Sequence, residues 1–156
     1  MIKRLIFTVL ATLGLVAGVT GVSATSSPAS AATMYTASFY APGPTMYQSN
    51  LAYKSAPTQT PASFAYVSSG TLNDVKVSYS TNVPVGTKAT LCNTDKCVPL
   101  TANNTWTSLF AGTKADTTWT ISYYASSSKT TVYPSPYRTG DFQITMEYTI
   151  PFNPTS

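Results

Sequence analysis

The sequence contains no histidine, and its 156 residues include only two cysteines and five carboxylates. Lack of histidine removes the commonest general base, and with it the ordinary Ser-His-Asp and Cys-His arrangements. The carboxylates Asp74, Asp95, Asp116, Asp141 and Glu147 are scattered singly along the chain. A glycosidase needs a convergent acidic pair, and a calcium loop needs clustered Asp and Asn ligands. Neither spacing occurs, and no glycine-rich phosphate loop is present. Two cysteines without histidine or a third thiol are too few for a zinc site. These absences exclude the common catalytic and metal chemistries, so the chain is expected to be non-enzymatic, with no catalytic residue, metal or cofactor.

Charge is also scarce, at 9% of residues. After the first few positions, six lysines and Arg138 are spread singly from Lys54 onward, with no basic cluster. Nucleic acids and anionic membranes select for basic patches, so neither is supported as a partner. Ser, Thr and Asn take the place of charge on the expected surface.

The N-terminus has the layout of an export signal. Lys3 and Arg4 precede an apolar run, Leu5 to Val22, interrupted only by Thr8, Thr12 and Thr20. Ala29-Ser30-Ala31 has the small-x-small shape of a cleavage site, so residues 1–31 are expected to be a signal peptide cut after Ala31. Val22-Ser23-Ala24 offers a second cut after Ala24. The rival is an uncleaved anchor, because the run is nearly long enough to span a bilayer. The Ala/Ser/Thr/Pro tail from Ser23 to Ala32 favours cleavage and no stable membrane insertion afterwards. No cysteine follows the run to accept a lipid. Cleavage leaves seven basic residues against five acidic ones, a net charge of +2. Residues 32–156 are then long enough for one domain with a real core.

The mature part has no helix-length apolar stripe but strong period-two alternation. Phe142, Ile144, Met146, Tyr148 and Ile150 alternate with polar residues, between Gly140-Asp141 and Pro151. Val75, Val77 and Tyr79 form a second such series, and Trp119, Ile121 and Tyr123 a third. Weaker strand candidates are Tyr35–Tyr40, Met46–Tyr53, Ser63–Ser68, Thr87–Cys92, Cys97–Leu100, Trp106–Phe110 and Thr130–Tyr133, rich in β-branched and aromatic residues. Turn chemistry separates them at Ala41-Pro42-Gly43-Pro44, Ser69-Gly70, Asn82 to Gly86, Asn103-Asn104, Ser126–Ser128 and Pro134-Ser135-Pro136. The expected longest loop is Ser55–Pro61. Short strands at roughly ten-residue spacing predict an all-β, single-domain antiparallel β-sandwich, immunoglobulin-like or carbohydrate-binding-module-like.

Cys92 and Cys97 flank a polar four-residue turn, Asn93 to Lys96. Export to an oxidising compartment favours a disulfide across the mouth of that hairpin. A redox-active pair is the rival, but C-x-x-C spacing is absent. Among the aromatics, Trp119 and Tyr123 share the face of Ile121 and are expected in the core. Tyr124, Tyr133 and Tyr137 are the candidates for a contact surface, the last two framing the rigid stretch Pro134-Ser135-Pro136. An exposed aromatic row would instead suit stacking on glycan, the alternative partner of a secreted or adhesive β-domain.

Pro84-Val85-Gly86, Leu91-Cys92 and Cys97-Val98-Pro99-Leu100 follow the pattern P-x-G-x(4)-L-C-x(4)-C-V-x-L. This arrangement, with the length and the export signal, resembles the FlhE family of periplasmic flagellar accessory proteins. Weaker similarity runs from Phe39 to Pro57 and from Tyr133 to Tyr148. The resemblance implies a β-sandwich-like domain in the periplasm, with an extracellular location as alternative. It implies a chaperone- or plug-like role beside flagellar export or rod components, in export and assembly, in limiting proton leak and in swarming. It carries over Cys92 and Cys97 as a disulfide, and Pro84 and Gly86 as its supporting turn. An excess of Ser, Thr and Tyr sets this chain apart.

Overall fold

The computed structural model describes residues 32–80 and 82–151, so the expected signal peptide lies outside the described residues. The strands run β1 Thr33–Pro42, β2 Thr45–Gln48, β3 Ala52–Lys54, β4 Thr58–Gln59, β5 Thr71–Ser78, β6 Thr87–Cys92, β7 Cys97–Leu100, β8 Trp106–Thr107, β9 Thr118–Ala125, β10 Val132–Arg138 and β11 Asp141–Ile150. One sheet has the order β1-β11-β5-β8. The other has the order β3-β9-β6-β7, with β4 also on β9. Every pairing is antiparallel. The two sheets enclose one apolar core, as expected for an all-β sandwich.

The core is assembled from the alternating series. Phe142, Ile144, Met146 and Tyr148 of β11 point inward with Leu72, Val75 and Val77 of β5. From the other sheet come Ala89 and Leu91 of β6 and Trp119, Ile121 and Tyr123 of β9. A strand with one face on the core must alternate in this way, because successive side chains leave opposite faces. The buried polar groups of Trp119 and Tyr148 are matched. The Trp119 indole N–H donates to Thr60 Oγ1 at 3.0 Å, and that hydroxyl donates to the Thr117 carbonyl at 3.0 Å. The Tyr148 hydroxyl donates to the Ala65 carbonyl at 2.8 Å.

A separate two-stranded sheet, β2 with β10, continues the β1–β11 ladder beyond the end of the first sheet. Pro42 faces Asp141, Thr45 faces Arg138 and Met46 faces Tyr137, all in the register that begins with Thr33 opposite Ile150. Strands β1 and β2 are thus one path and β10 and β11 another, folded together at a corner. At that corner the Gly43 N–H donates to the Gly140 carbonyl at 2.9 Å, and the Thr139 hydroxyl donates to the Pro44 carbonyl at 2.7 Å. Gly140 has φ +67°, and a Cβ on Gly43 would collide with the Gly140 carbonyl and the Thr139 hydroxyl.

Several segments differ from the sequence expectation. Met46–Tyr53 is not one strand. Asn50 takes φ 59°, and the chain changes partner there, from β10 to β9. Ser63–Ser68 is not a strand but successive tight turns ending in a 3-10 turn, Val67–Ser69, which buries Val67. Trp106–Phe110 shortens to two paired residues, because Phe110 turns into the core against Trp119 at 5.3 Å between ring centroids. Ser55–Pro61 is not wholly loop, since Thr58 and Gln59 pair with β9. Pro134-Ser135-Pro136 does not end a strand but lies inside β10. An edge position tolerates proline because no N–H is demanded there.

Cys92 and Cys97 face each other at the end of the β6–β7 hairpin and form the disulfide. Inside the loop, Asn93 Oδ1 accepts from the backbone N–H groups of Asp95 and Lys96, at 3.0 and 2.8 Å. The Asn93 amide and Thr94 also bond to Thr113 and Thr117, tying the hairpin to the loop before β9. With this much non-covalent support, C92S/C97S should stay folded and lose about 2 kcal/mol, the worth of closing so short a loop. Denaturant unfolding of the paired variant against the parent measures it; an unfolded variant would show that the bridge holds more than one hairpin. At the corner, Gly43→Ala should cost about 1–3 kcal/mol, as overpacking against backbone does. The same unfolding curves test this, and an unchanged midpoint would mean that the crossing opens freely.

Candidate functional site

The most irregular part of the ladder lies just beyond the corner. Val132 pairs with Gln48 and Tyr137 pairs with Met46, so β10 carries extra residues that β2 does not match. The surplus bulges outward as an arch in which Pro134, Ser135 and Pro136 are exposed. At its base the Tyr133 and Tyr137 rings meet edge to face, 4.9 Å between centroids. Both tyrosines are half-buried against the core cluster. The prolines stiffen the arch and the tyrosines seat it, so it presents a preformed shape.

A groove of about 510 Å³ lies on each side. Gly43, Pro44, Tyr47, Pro136, Arg138 and Asp141 contribute to one. Asn82, Tyr133, Pro134, Tyr137 and Arg138 contribute to the other. Arg138 borders both, an exposed guanidinium beside an exposed Tyr47. Tyr47 packs on Tyr53, whose hydroxyl accepts from the Gln48 N–H at 3.0 Å. Tyrosine, arginine and rigid proline around shallow grooves are what protein-contact surfaces favour.

Of the candidate contact residues, Tyr133 and Tyr137 come together, but as the base of the arch and not its exposed tip. Tyr124 lies apart, in the outer face of its sheet between Ala52 and Lys88. It forms no aromatic row. Pro84 and Gly86 make a turn in which the Thr87 N–H donates to the Pro84 carbonyl at 3.1 Å and Gly86 takes φ +79°. This is a type II turn, which calls for glycine at its third position. It does not support the disulfide directly. The turn opens β6 and Cys92 closes it, roughly 17 Å apart at strand rise. Pro84 and Val85 instead border a smaller groove beside Tyr133. Tyr47 and Arg138 gave no sequence signal, because only the return of β10 onto β2 brings them together.

Among the described residues these grooves bring no two carboxylates together. Folding does set Asp74 opposite Glu147, which no sequence spacing foretold, but on the open outer face of the β11–β5 pair. Among the described residues no group of three or more Cys, Asp or Glu side chains could hold a metal ion. Asn103, in a formal glycosylation sequon, spends its amide on the backbone of Tyr79, with both bonds at 2.9 Å.

The Tyr133 hydroxyl is sealed from solvent without a hydrogen-bond partner. Burial, with Tyr137 and Tyr53 nearby, raises its pKa. Burial also raises Tyr79, raises Tyr123 strongly with help from Tyr79, and raises Tyr148 with help from Tyr35. Burial disfavours the charged phenolate, so folded hydroxyls keep protons that an unfolded chain gives up near pH 10. The stability linked to these groups is fully present below that pH and is lost as pH rises through the raised values. Unfolding free energy should therefore be level from neutral pH to about 9 and fall steeply above about 10. The tyrosinate signals of Tyr79, Tyr123, Tyr133 and Tyr148 should rise together with unfolding; their ionisation near pH 10 in a folded protein would contradict the buried cluster.

Comparison with known proteins agrees with this geometry. A family model described as flagellar protein FlhE matches residues 43–149. A solved structure described as "Crystal Structure of FLHE" superimposes with TM-score 0.61 at 19% identity, covering 74% of this chain and 96% of that one, which supports a shared fold. A search of curated proteins gives no match. The matched span runs from the Gly43 corner through the cysteine hairpin and the arch to the last strand, and the chain belongs to the FlhE family of flagellar proteins.

Proposed function

We propose that this protein is exported to the periplasm by residues 1–31 and acts there as a non-enzymatic accessory of the flagellar export or rod apparatus. Its action is steric. A rigid domain seats the Pro134–Pro136 arch on a flagellar component and, plug- or chaperone-like, blocks premature assembly or a leak of protons. The observation that carries this reading is family membership across the span that includes both the cysteine hairpin and the arch. The disulfide agrees with an oxidising compartment, where such bonds persist. The arch agrees with docking, because a preformed surface loses little entropy on binding.

Deletion of the gene, scored for swarming, external filaments and cytoplasmic pH, tests the reading. A swarming defect with an acidified cytoplasm, restored only by protein carrying its signal peptide, is the expected result. Normal flagella and pH would overturn it. R138E combined with Tyr47→Ala should leave the domain folded, losing no more than about 1.5 kcal/mol from the Tyr47–Tyr53 contact, and should fail to restore swarming. Full restoration would move the contact surface away from the arch.

A further inference from the structure

The sheet β1-β11-β5-β8 treats its two edges differently. The outer edge of β5 is covered along its length. Trp106 and Thr107 pair with it, Lys114 bridges Thr71, and Leu72 exchanges backbone bonds with Gly112 and Thr113. The Asn104 N–H donates to the Val77 carbonyl, and the Asn103 amide closes the far end on Tyr79. By contrast, the outer edge of β1 has no ladder partner among the described residues.

That edge is long and regular. All ten residues of β1 pair with β11 without a bulge. Natural edges are usually blunted by charge, proline, bulges or shortness. The β1 sequence, TMYTASFYAP, carries no charge, and its one proline is the last residue. Outward-facing Met34 and Tyr40 are 60% and 67% exposed. On the core side Tyr35, packed against Tyr66 and Tyr148, and Ala37 are only partly buried.

The strand is also close to a palindrome of residue character about Ala37. Thr36 matches Ser38, Tyr35 matches Phe39, and Met34 matches Tyr40. We infer that β1 pairs antiparallel with β1 of a second copy, about a two-fold axis through Ala37. In that register Met34 meets Tyr40 of the second copy on the outer face, twice. Tyr35 meets Phe39 of the second copy on the core side, covering the part of the Tyr35 ring that Tyr66 and Tyr148 leave open. Aromatic and apolar cross-strand pairs of this kind stabilise a ladder, and an uncharged strand brings no like charges face to face. The same symmetry makes the interface closed, so pairing ends at two copies. The inference stands apart from the arch, which lies beyond the Gly43 corner and stays open in both copies.

Sedimentation equilibrium on the exported, disulfide-bonded protein tests it. A monomer–dimer equilibrium is expected. M34K/Y40K sets lysine against lysine across the axis and should weaken the dimer by about tenfold or more. M34K/Y40E loses the same apolar groups but sets lysine against glutamate, and should dimerise at least about tenfold more tightly than M34K/Y40K. Both positions are exposed, and the unfolding midpoint of each variant controls for folding. A monomer at all concentrations up to about 0.5 mM would overturn the inference and leave the edge to a different strand. Equal dimerisation of the two double variants would overturn it too, by placing the contact elsewhere.

Discussion

One antiparallel register, kept from Thr33 opposite Ile150 to Met46 opposite Tyr137, governs this molecule. It joins the first strands of the domain to the last ones and carries both pairs past the corner into a two-stranded sheet of their own. Such a path brings two backbones almost into contact at Gly43 and Gly140: a side chain on Gly43 would strike the Gly140 carbonyl and the Thr139 hydroxyl, and Gly140 holds a φ of +67° that side-chain-bearing residues avoid. Everything between residues 49 and 131 is held within that loop of ladder. The second sheet builds on β9, which pairs with β6 on one side and with β3 and β4 on the other.

The same crossing explains where the irregular surface lies. Beyond the corner, β2 is short and β10 long, so the mismatch must be taken up by a bulge. Prolines fit there because the arch offers no ladder bonds to lose. Tyr133 and Tyr137 then turn inward to seal the space beneath, at the cost of one unpartnered hydroxyl. A contact surface thus arises where pairing is imperfect, next to the most exacting part of the fold.

Strands buried on one face were plain in the sequence. The alternations in β5, β9 and β11 name their own inward residues, and Trp119 and Tyr123 lie in the core as their phase demanded. Short edge elements were not plain. Met46–Tyr53 has strand chemistry throughout, yet a left-handed Asn50 breaks it so that the chain can change partners. Pro134 to Pro136 has turn chemistry, yet lies within a strand, because proline preferences do not distinguish a turn from an edge. The last strand, whose alternation is the clearest in the chain, is central in its sheet, flanked by β1 and β5. Alternation reports which face is buried, not which neighbours a strand has. The disulfide was legible from local spacing, whereas the meeting of Tyr47 with Arg138 depends on a return of the chain that no local pattern encodes.

The hydroxyl-rich composition has a consequence for the setting in which the protein works. The loops are tied mainly by Ser, Thr, Asn and Tyr bonding to backbone, as Ser49 does with Thr131 and Lys129, Asn50 with Ser127, and Thr139 with Pro44. Bonds between neutral groups are not screened by dissolved ions, which weaken exposed charge pairs within a Debye length. A domain sewn together in this way keeps its shape as the salt concentration around it rises and falls.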